Sequence, residues 1–433
     1  MSWEEFSPPC EALKGETKRR SFPLPLNEQG NEKTPETLPE SRCPASVANG
    51  KVLMKIKEVE AIVLKSSQAY AAPTGAEESH GIGYMLVIKV TTDNGLVGYS
   101  DVETQPHVAK AAIDAPAGGA GMIDGLRQAL IGEDPFEIER LWYKMYKCSV
   151  YYGRRGAAIQ ALSGVDNCLW SIIGQAVKQP IYKLLGAHRR GKVRAYASTL
   201  FRPTPEAMAE ACRGYIEQGF TAVKFGWGIF GEDPKLDVEL VRAAREALGP
   251  DRDLLIDPGW RVERTAEESI RMVRSIEAFR PFFVEDCMPP EDYDGYAKLA
   301  DAVETPIAAG EQEGTHWGFR HLIERGRIDI VQPDLTRCGG LTTARRIAHM
   351  VEDYNIGLIP HAWSSDILTA ITLQYLAYIK KAYFVEFNVS TGEISRQLAK
   401  NPITMKDGYV EIPDLPGTGI EVDETVLEKY RVL

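Results

Sequence analysis

Seven apolar runs in the second half of the chain each end on an ionisable residue. They read TAVKFGW (Lys224), LLIDPGW (Asp257), FFVEDC (Glu285), PIAAGEQ (Glu311), DIVQPDL (Asp334), GLIPHAW (His361) and YFVEFNV (Glu386). Asp257, Glu285 and Glu311 end three consecutive runs. Three carboxylates brought together repel unless a cation sits between them. Hard oxygen donors with room left for water and substrate suit Mg²⁺. Taken singly, each acid reads equally well as a helix N-cap or a surface charge; three in register favour the metal. Asp334 and His361 end the next two runs. An Asp beside a His fixes the tautomer and supports the imidazolium formed when the ring takes a proton. The bland alternative is a His bonded to a backbone carbonyl and an Asp used as a cap. Lys224 can offer positive charge to a substrate carboxylate or enolate oxygen, or be a solvated lysine at a strand end. Together these groups suit removal of a proton alpha to a carboxylate. That reaction needs a cation for the enediolate and a base within reach.

The elements that must position them follow from the spacing. Successive ionisable residues lie 23 to 33 residues apart, room for one helix and two turns. Apolar run, helix, apolar run is the pattern of parallel strands with crossover helices. Charges do not sit unpartnered inside such strands, so they belong at the strand ends, where barrel enzymes carry their chemistry. The chain is expected to be α/β, with a barrel whose acids gather at one mouth.

Upstream, KIKEVEAIVLKS (55–66) and YMLVIKVTTDNGLVGYSDV (84–102) alternate like strands, the second broken by a hairpin turn at Asp93-Asn94-Gly95. Residues 157–177 have helical spacing, and the Gly-, Ala- and Pro-rich loop 69–83 is long enough to be functional. Residues 1–52 are rich in Pro, Glu, Lys and Ser and are expected to be a disordered extension. The expected domains are an α+β cap over 53–188, a barrel over 189–402, and a segment 403–433 that returns to the cap.

The 433 residues are 44% hydrophobic, enough for a barrel and a second domain. A net charge of −11 argues against nucleic acid and anionic membrane as partners, and leaves a small anionic substrate open. No apolar run approaches the ~20 residues of a membrane helix, and the N-terminus carries no signal-type apolar core. Seven scattered cysteines read as reduced thiols of a cytoplasmic protein.

From about residue 53 onward the sequence resembles the enolase superfamily in its mandelate racemase subgroup. The resemblance rests on Asp257, Glu285, Glu311, Asp334, His361 and Glu386 in that order, with LPGTGI near the C-terminus and ALSGVDNCLWSIIGQAVKQPIYKLLGA. It implies a (β/α)₇β barrel with an α+β capping domain. It also implies Mg²⁺ on Asp257, Glu285 and Glu311, a catalytic His361–Asp334 dyad, and a symmetric homo-oligomer. Glu386 would hydrogen-bond a substrate carboxylate oxygen as a protonated acid. One departure matters. Racemases of the family end the Lys224 strand Lys-x-Lys, the second lysine being the opposing base; here the stretch is Lys224-Phe225-Gly226. A one-base reaction on the His361 face stays open, and its natural form is β-elimination of water from a sugar acid. The resemblance is to acid-sugar dehydratases of the lyxonate, rhamnonate and galactonate types, with VKFGWG closest to the lyxonate type. His361 would take the C2 proton, His361 or another group would protonate the departing 3-hydroxyl, and the product would be a 2-keto-3-deoxy acid.

Substrate contacts are expected from the cap and from loops after the strands. His80, Tyr152, Arg155, His316 and Trp363 are the candidates, each with a plain alternative: a solvated loop His, interdomain hydrogen bonds and salt bridges, or packing. Two other functions stay open. One is an epimerase or racemase of a 2-hydroxy or amino acid, which would exchange the C2 proton without losing water. The other is a catalytically silent barrel with a binding or structural role.

Overall fold

The computed structural model describes residues 54–66, 83–186, 188, 191–259, 262–389 and 392–433. The 1–52 extension, the 69–83 loop up to residue 82 with His80, and Trp260 lie outside the described residues.

The cap begins with an antiparallel meander of β1 (Ile56–Lys65), β2 (Tyr84–Thr92) and β3 (Val97–Val102). The β2–β3 turn falls at the expected Asp93-Asn94-Gly95, with Gly95 at φ 85°, a left-handed conformation that glycine adopts without steric cost. A helix over Ala157–Ala176 packs on this sheet and is buried on nearly every face. Two of its contacts need small residues. A Cβ on Gly98 would lie 2.3 Å from the Cys168 carbonyl oxygen, and one on Gly164 would lie 2.5 Å from Val102. Helix and sheet therefore approach at backbone distance.

Eight strands then alternate with helices. They are β4 (Lys192–Leu200), β5 (Ala222–Gly226), β6 (Asp253–Asp257), β7 (Val284–Glu285), β8 (Ile307–Ala309), β9 (Ile330–Val331), β10 (Gly357–Leu358) and β11 (Val385–Asn388). All neighbours pair in parallel, in the order β11-β4-β5-β6-β7-β8-β9-β10. Between β10 and β11 the link is made by a side chain: the Ala362 N–H, beyond β10, donates to the Glu386 carboxylate on β11 at 2.7 Å. One helix joins each consecutive pair, which gives the (β/α)₇β arrangement. β4 ends without an ionisable residue, which is why the pattern of charged strand ends passes over it.

The barrel interior explains where the chemistry sits. Tyr196, Ala222, Leu255, Phe283, Ala308, Ile330, Ile359 and Phe384, one from each strand or its immediate flank, form a single buried apolar cluster. Side chains two apart on a strand share a face. Two residues beyond seven of these plug residues come Ser198, Lys224, Asp257, Glu285, Gln332, His361 and Glu386, all buried. A polar layer thus lies directly on an apolar layer, as the stacked layers of such barrels require. Burying each large plug side chain stabilises the floor by about 1.5–3 kcal/mol.

The C-terminal segment serves both parts. β12 (Met405–Lys406) pairs with β13 (Tyr409–Glu411), and β13 pairs antiparallel with barrel strand β4. The chain then returns to the cap, where the Val63 N–H donates to the Leu433 carbonyl and Lys89 ion-pairs Glu424 at 2.8 Å. Among the described residues no helix is long and apolar enough to cross a membrane. The five described cysteines are buried free thiols.

Candidate active site

A cavity of about 420 Å³ opens above the polar layer, lined by Lys224, Asp257, Glu311, Arg337, His361 and Glu386 among others. His361 is 4% exposed. Its Nδ1 lies 2.7 Å from Asp334 Oδ2. Asp334 is held in turn by the Thr336 N–H at 2.6 Å and the Thr336 hydroxyl at 2.7 Å, both donating to Oδ1. Nε2 therefore faces the cavity, 3.0 Å from Glu311 Oε2. Burial works against a charged His361. Glu311, Glu386 and the Asp334 hydrogen bond outweigh it and push the ring up to about 10.

Lys224 is 3% exposed and surrounded by acids. Its Nζ lies 3.0 Å from both Glu285 oxygens, 2.9 Å from Glu386 Oε1 and 3.8 Å from Asp257 Oδ2. Glu386 also accepts from the Ser198 hydroxyl at 2.7 Å. Burial alone would raise Glu386, but Lys224, His361, the Ala362 N–H and the Ser198 hydroxyl hold it well below the usual carboxylate range. Against the expected protonated acid, a lysine in direct contact and two hydrogen-bond donors, the Ser198 hydroxyl and the Ala362 N–H, favour the Glu386 anion in the chain alone.

Asp257, Glu285 and Glu311 each turn to a protein cation, the first two to Lys224 and the third to His361. Asp257 is pushed well above its ordinary range by burial and by Glu285, and Glu285 is raised by burial against the pull of Lys224. Buried hard-oxygen donors carrying more negative charge than their neighbours neutralise are the donor set a divalent cation fits. A tighter trio of possible metal-ligand atoms exists at Glu103, Asp334 and His361, within 4.8 Å of one another. Within that trio Asp334 already binds His361, and Glu103 shares Arg337, 2.9 Å away, with two other carboxylates. Charge balance therefore favours the three strand-end acids as the cation site.

The glycine in place of the racemases' second lysine has a physical consequence. A Cβ on Gly226 would lie 2.8 Å from Asp257 Oδ2. A side chain at this position meets the Asp257 carboxylate directly.

Of the expected substrate contacts, Trp363 lines the cavity. Three others lie elsewhere. The Tyr152 hydroxyl donates to the Asp124 carbonyl at 2.7 Å. Arg155, half-exposed, sits 3.9 Å from Glu313. His316 packs beside Trp317 and Trp142, with ring centroids 4.2 and 6.5 Å away, and burial pushes it down to about 4. These three are not among the cavity's lining residues, because their side chains are spent on the capping fold and on aromatic packing. Sequence reading missed Glu103, Ser198 and Gln312, which do line it. Ser198 was detectable as the polar residue two beyond Tyr196 in AYASTLF. Glu103 follows a cap strand, outside the barrel's periodicity.

Comparison with known proteins agrees with this architecture. Residues 59–186 match the family described as mandelate racemase / muconate lactonizing enzyme, N-terminal domain, and residues 207–426 match enolase C-terminal domain-like proteins. The chain is 32% identical over 350 residues to an arabinonate dehydratase of Saccharolobus solfataricus, covering 80% of this chain and 90% of that one. It is 29% identical over 361 residues to a D-galactarolactone cycloisomerase of Agrobacterium fabrum, covering 80% and 91%. Among solved structures, the 3,6-anhydro-D-galactonate cycloisomerase of Zobellia galactanivorans superposes with a TM-score of 0.78 at 30% identity, over 88% of this chain and 100% of that one.

Proposed function

This chain belongs to the enolase superfamily, in its mandelate racemase and muconate lactonizing enzyme group, and from that membership we propose that it dehydrates an aldonic acid, with L-lyxonate the first candidate. The observation that carries the reading is the one-sided base. His361 presents Nε2 to the cavity with Nδ1 fixed on Asp334, and the opposite position is Gly226. Relatives at 32% and 31% identity are named arabinonate dehydratase and D-galactonate dehydratase, which supports the substrate class.

In this mechanism Asp257, Glu285 and Glu311 would hold Mg²⁺, which would supply positive charge to the substrate carboxylate. A cation on Glu311 would weaken that carboxylate's hold on the His361 proton. His361 Nε2 takes the C2 proton. Asp334 keeps the ring in the required tautomer and supports the imidazolium. Lys224 lends its charge to the developing oxyanion, and Glu386 keeps Lys224 in place from below. Departure of the 3-hydroxyl gives the 2-keto-3-deoxy acid.

Two relatives named cycloisomerases favour a second reading. The same proton abstraction on a substrate whose C3 oxygen is part of a ring opens the ring and releases no water. One experiment separates the two. Aldonic, aldaric and anhydro-aldonic acids are incubated with Mg²⁺, and products are weighed by mass spectrometry. Loss of one water, abolished by EDTA, supports the dehydratase. An isomeric product from the anhydro acids alone overturns it.

A further inference from the structure

Elimination of a hydroxide needs a proton for the leaving oxygen, and four acids line the cavity: Glu103, Asp257, Glu311 and Glu386. The proposed function commits three of them, Asp257 and Glu311 to the cation and Glu386 to Lys224, Ser198 and Ala362. Glu103 remains. Among the described residues its carboxylate has one ion-pair partner, Arg337 at 2.9 Å. It stands on the His361 side, within 4.8 Å of the Asp334–His361 pair.

Arg337 is shared. It lies 3.4 Å from Glu311 Oε1 and 3.9 Å from Asp334 Oδ2 as well as beside Glu103, so one guanidinium serves three carboxylates. The acids divide under that load. Burial opposes ionisation of all three. His361 and Arg337 overcome it at Asp334, while burial wins at Glu103 and pushes it up to about 7. Glu103 also faces a second, adjoining cavity of about 400 Å³, lined by Glu103, Thr104, Gln105, Gln160, Gln312 and Arg337 among others. Solvent can restore a proton there without passing the substrate.

Resting on the dehydratase reading, we propose that Glu103, contributed by the cap, is the general acid that protonates the leaving 3-hydroxyl. The C2–H bond breaks and its proton goes to His361. The C3–O bond breaks with its electron pair on oxygen, which takes the Glu103 proton and leaves as water. The enol then takes the His361 proton at C3 while its 2-hydroxyl releases one to solvent, and solvent reprotonates Glu103.

The test is Glu103→Gln, assayed with the aldonate that the wild type dehydrates and with its 3-deoxy-3-fluoro analogue, whose fluoride leaves unprotonated. C2 exchange in D₂O is followed alongside. The expected result is dehydration slowed about 10²–10³-fold, with C2 exchange retained and fluoride release within a few-fold of wild type. That retained activity also shows that the variant is folded. Dehydration within about threefold of wild type overturns the proposal, as does a parallel loss of dehydration, exchange and fluoride release. Wild-type enzyme that exchanges C2 without eliminating from any aldonate overturns the dehydratase reading itself, and this assignment with it.

Discussion

Asp166 grips Thr342 with both carboxylate oxygens: Oδ2 accepts the Thr342 N–H at 2.9 Å and Oδ1 its hydroxyl at 2.7 Å. Thr342 lies in the first turn of the helix after β9, whose first N–H groups have no partner within the helix. The cap helix supplies those partners. Besides Asp166, Ser163 accepts from the Gly339 N–H at 2.8 Å and Asn167 from the Leu341 N–H at 3.1 Å. Asn167 also donates to the Leu335 carbonyl, next to Asp334. Asp101, near the end of β3, does the same beyond β10, accepting from Ser364 and Ser365 just past His361. The cap thus holds the loops that follow Asp334 and His361.

Asp166 makes stability depend on pH. Burial raises it from 3.8 to about 7 in the folded protein. A raised carboxyl means that the folded state binds the extra proton. Its contribution is therefore fully present below about 4, declines as pH rises toward about 7, and is flat above that. The Asp166→Asn variant lacks this titration. The stability of the wild type minus that of the variant, from urea unfolding, should fall by up to about 4 kcal/mol across the window. A difference independent of pH would refute the assignment.

Replacing His361 with Asn should remove the base while leaving the barrel floor intact. Turnover and C2 deuterium exchange are both expected to drop about 10²–10⁴-fold, with far-UV circular dichroism unchanged. Exchange persisting at the wild-type rate would place the base elsewhere.

Lys224→Met should leave Glu285 and Glu386 buried without their cation, at a cost of about 3–5 kcal/mol. Mg²⁺ should return part of that loss, because it takes up charge from Glu285. Thermal unfolding with and without Mg²⁺ measures this, and the melting shift on adding Mg²⁺ should be larger in the variant than in the wild type.

Gly226→Ala should disturb the proposed cation site without replacing any of its ligands. Its Cβ would lie 2.8 Å from Asp257 Oδ2. The Mg²⁺ concentration for half-maximal activity is expected to rise about 10- to 100-fold, the usual effect of displacing a ligand's support. An unchanged Mg²⁺ dependence would mean that Asp257 is not a ligand.

The order of strands and the register of most charged ends were legible in the sequence because each follows from a local relation. A plug residue and the chemical residue two places on share one face of one strand, so Leu255 and Asp257, or Ile359 and His361, announce the layer in any reading of the runs. The antiparallel cap was legible for the same reason, from alternation broken at Asp93-Asn94-Gly95. What only the tertiary structure decided are the relations between distant segments. Glu103 reaches His361 across 258 residues of chain, and no period connects them. His316 follows a strand end as a pocket residue should, yet the cap presents Trp142 and takes the ring into an aromatic cluster. The ionisation of Glu386 was equally out of reach, because it depends on Lys224 at 2.9 Å from a different strand. Periodicity fixes which face a side chain takes, whereas charge state and company depend on what the folded chain brings opposite it.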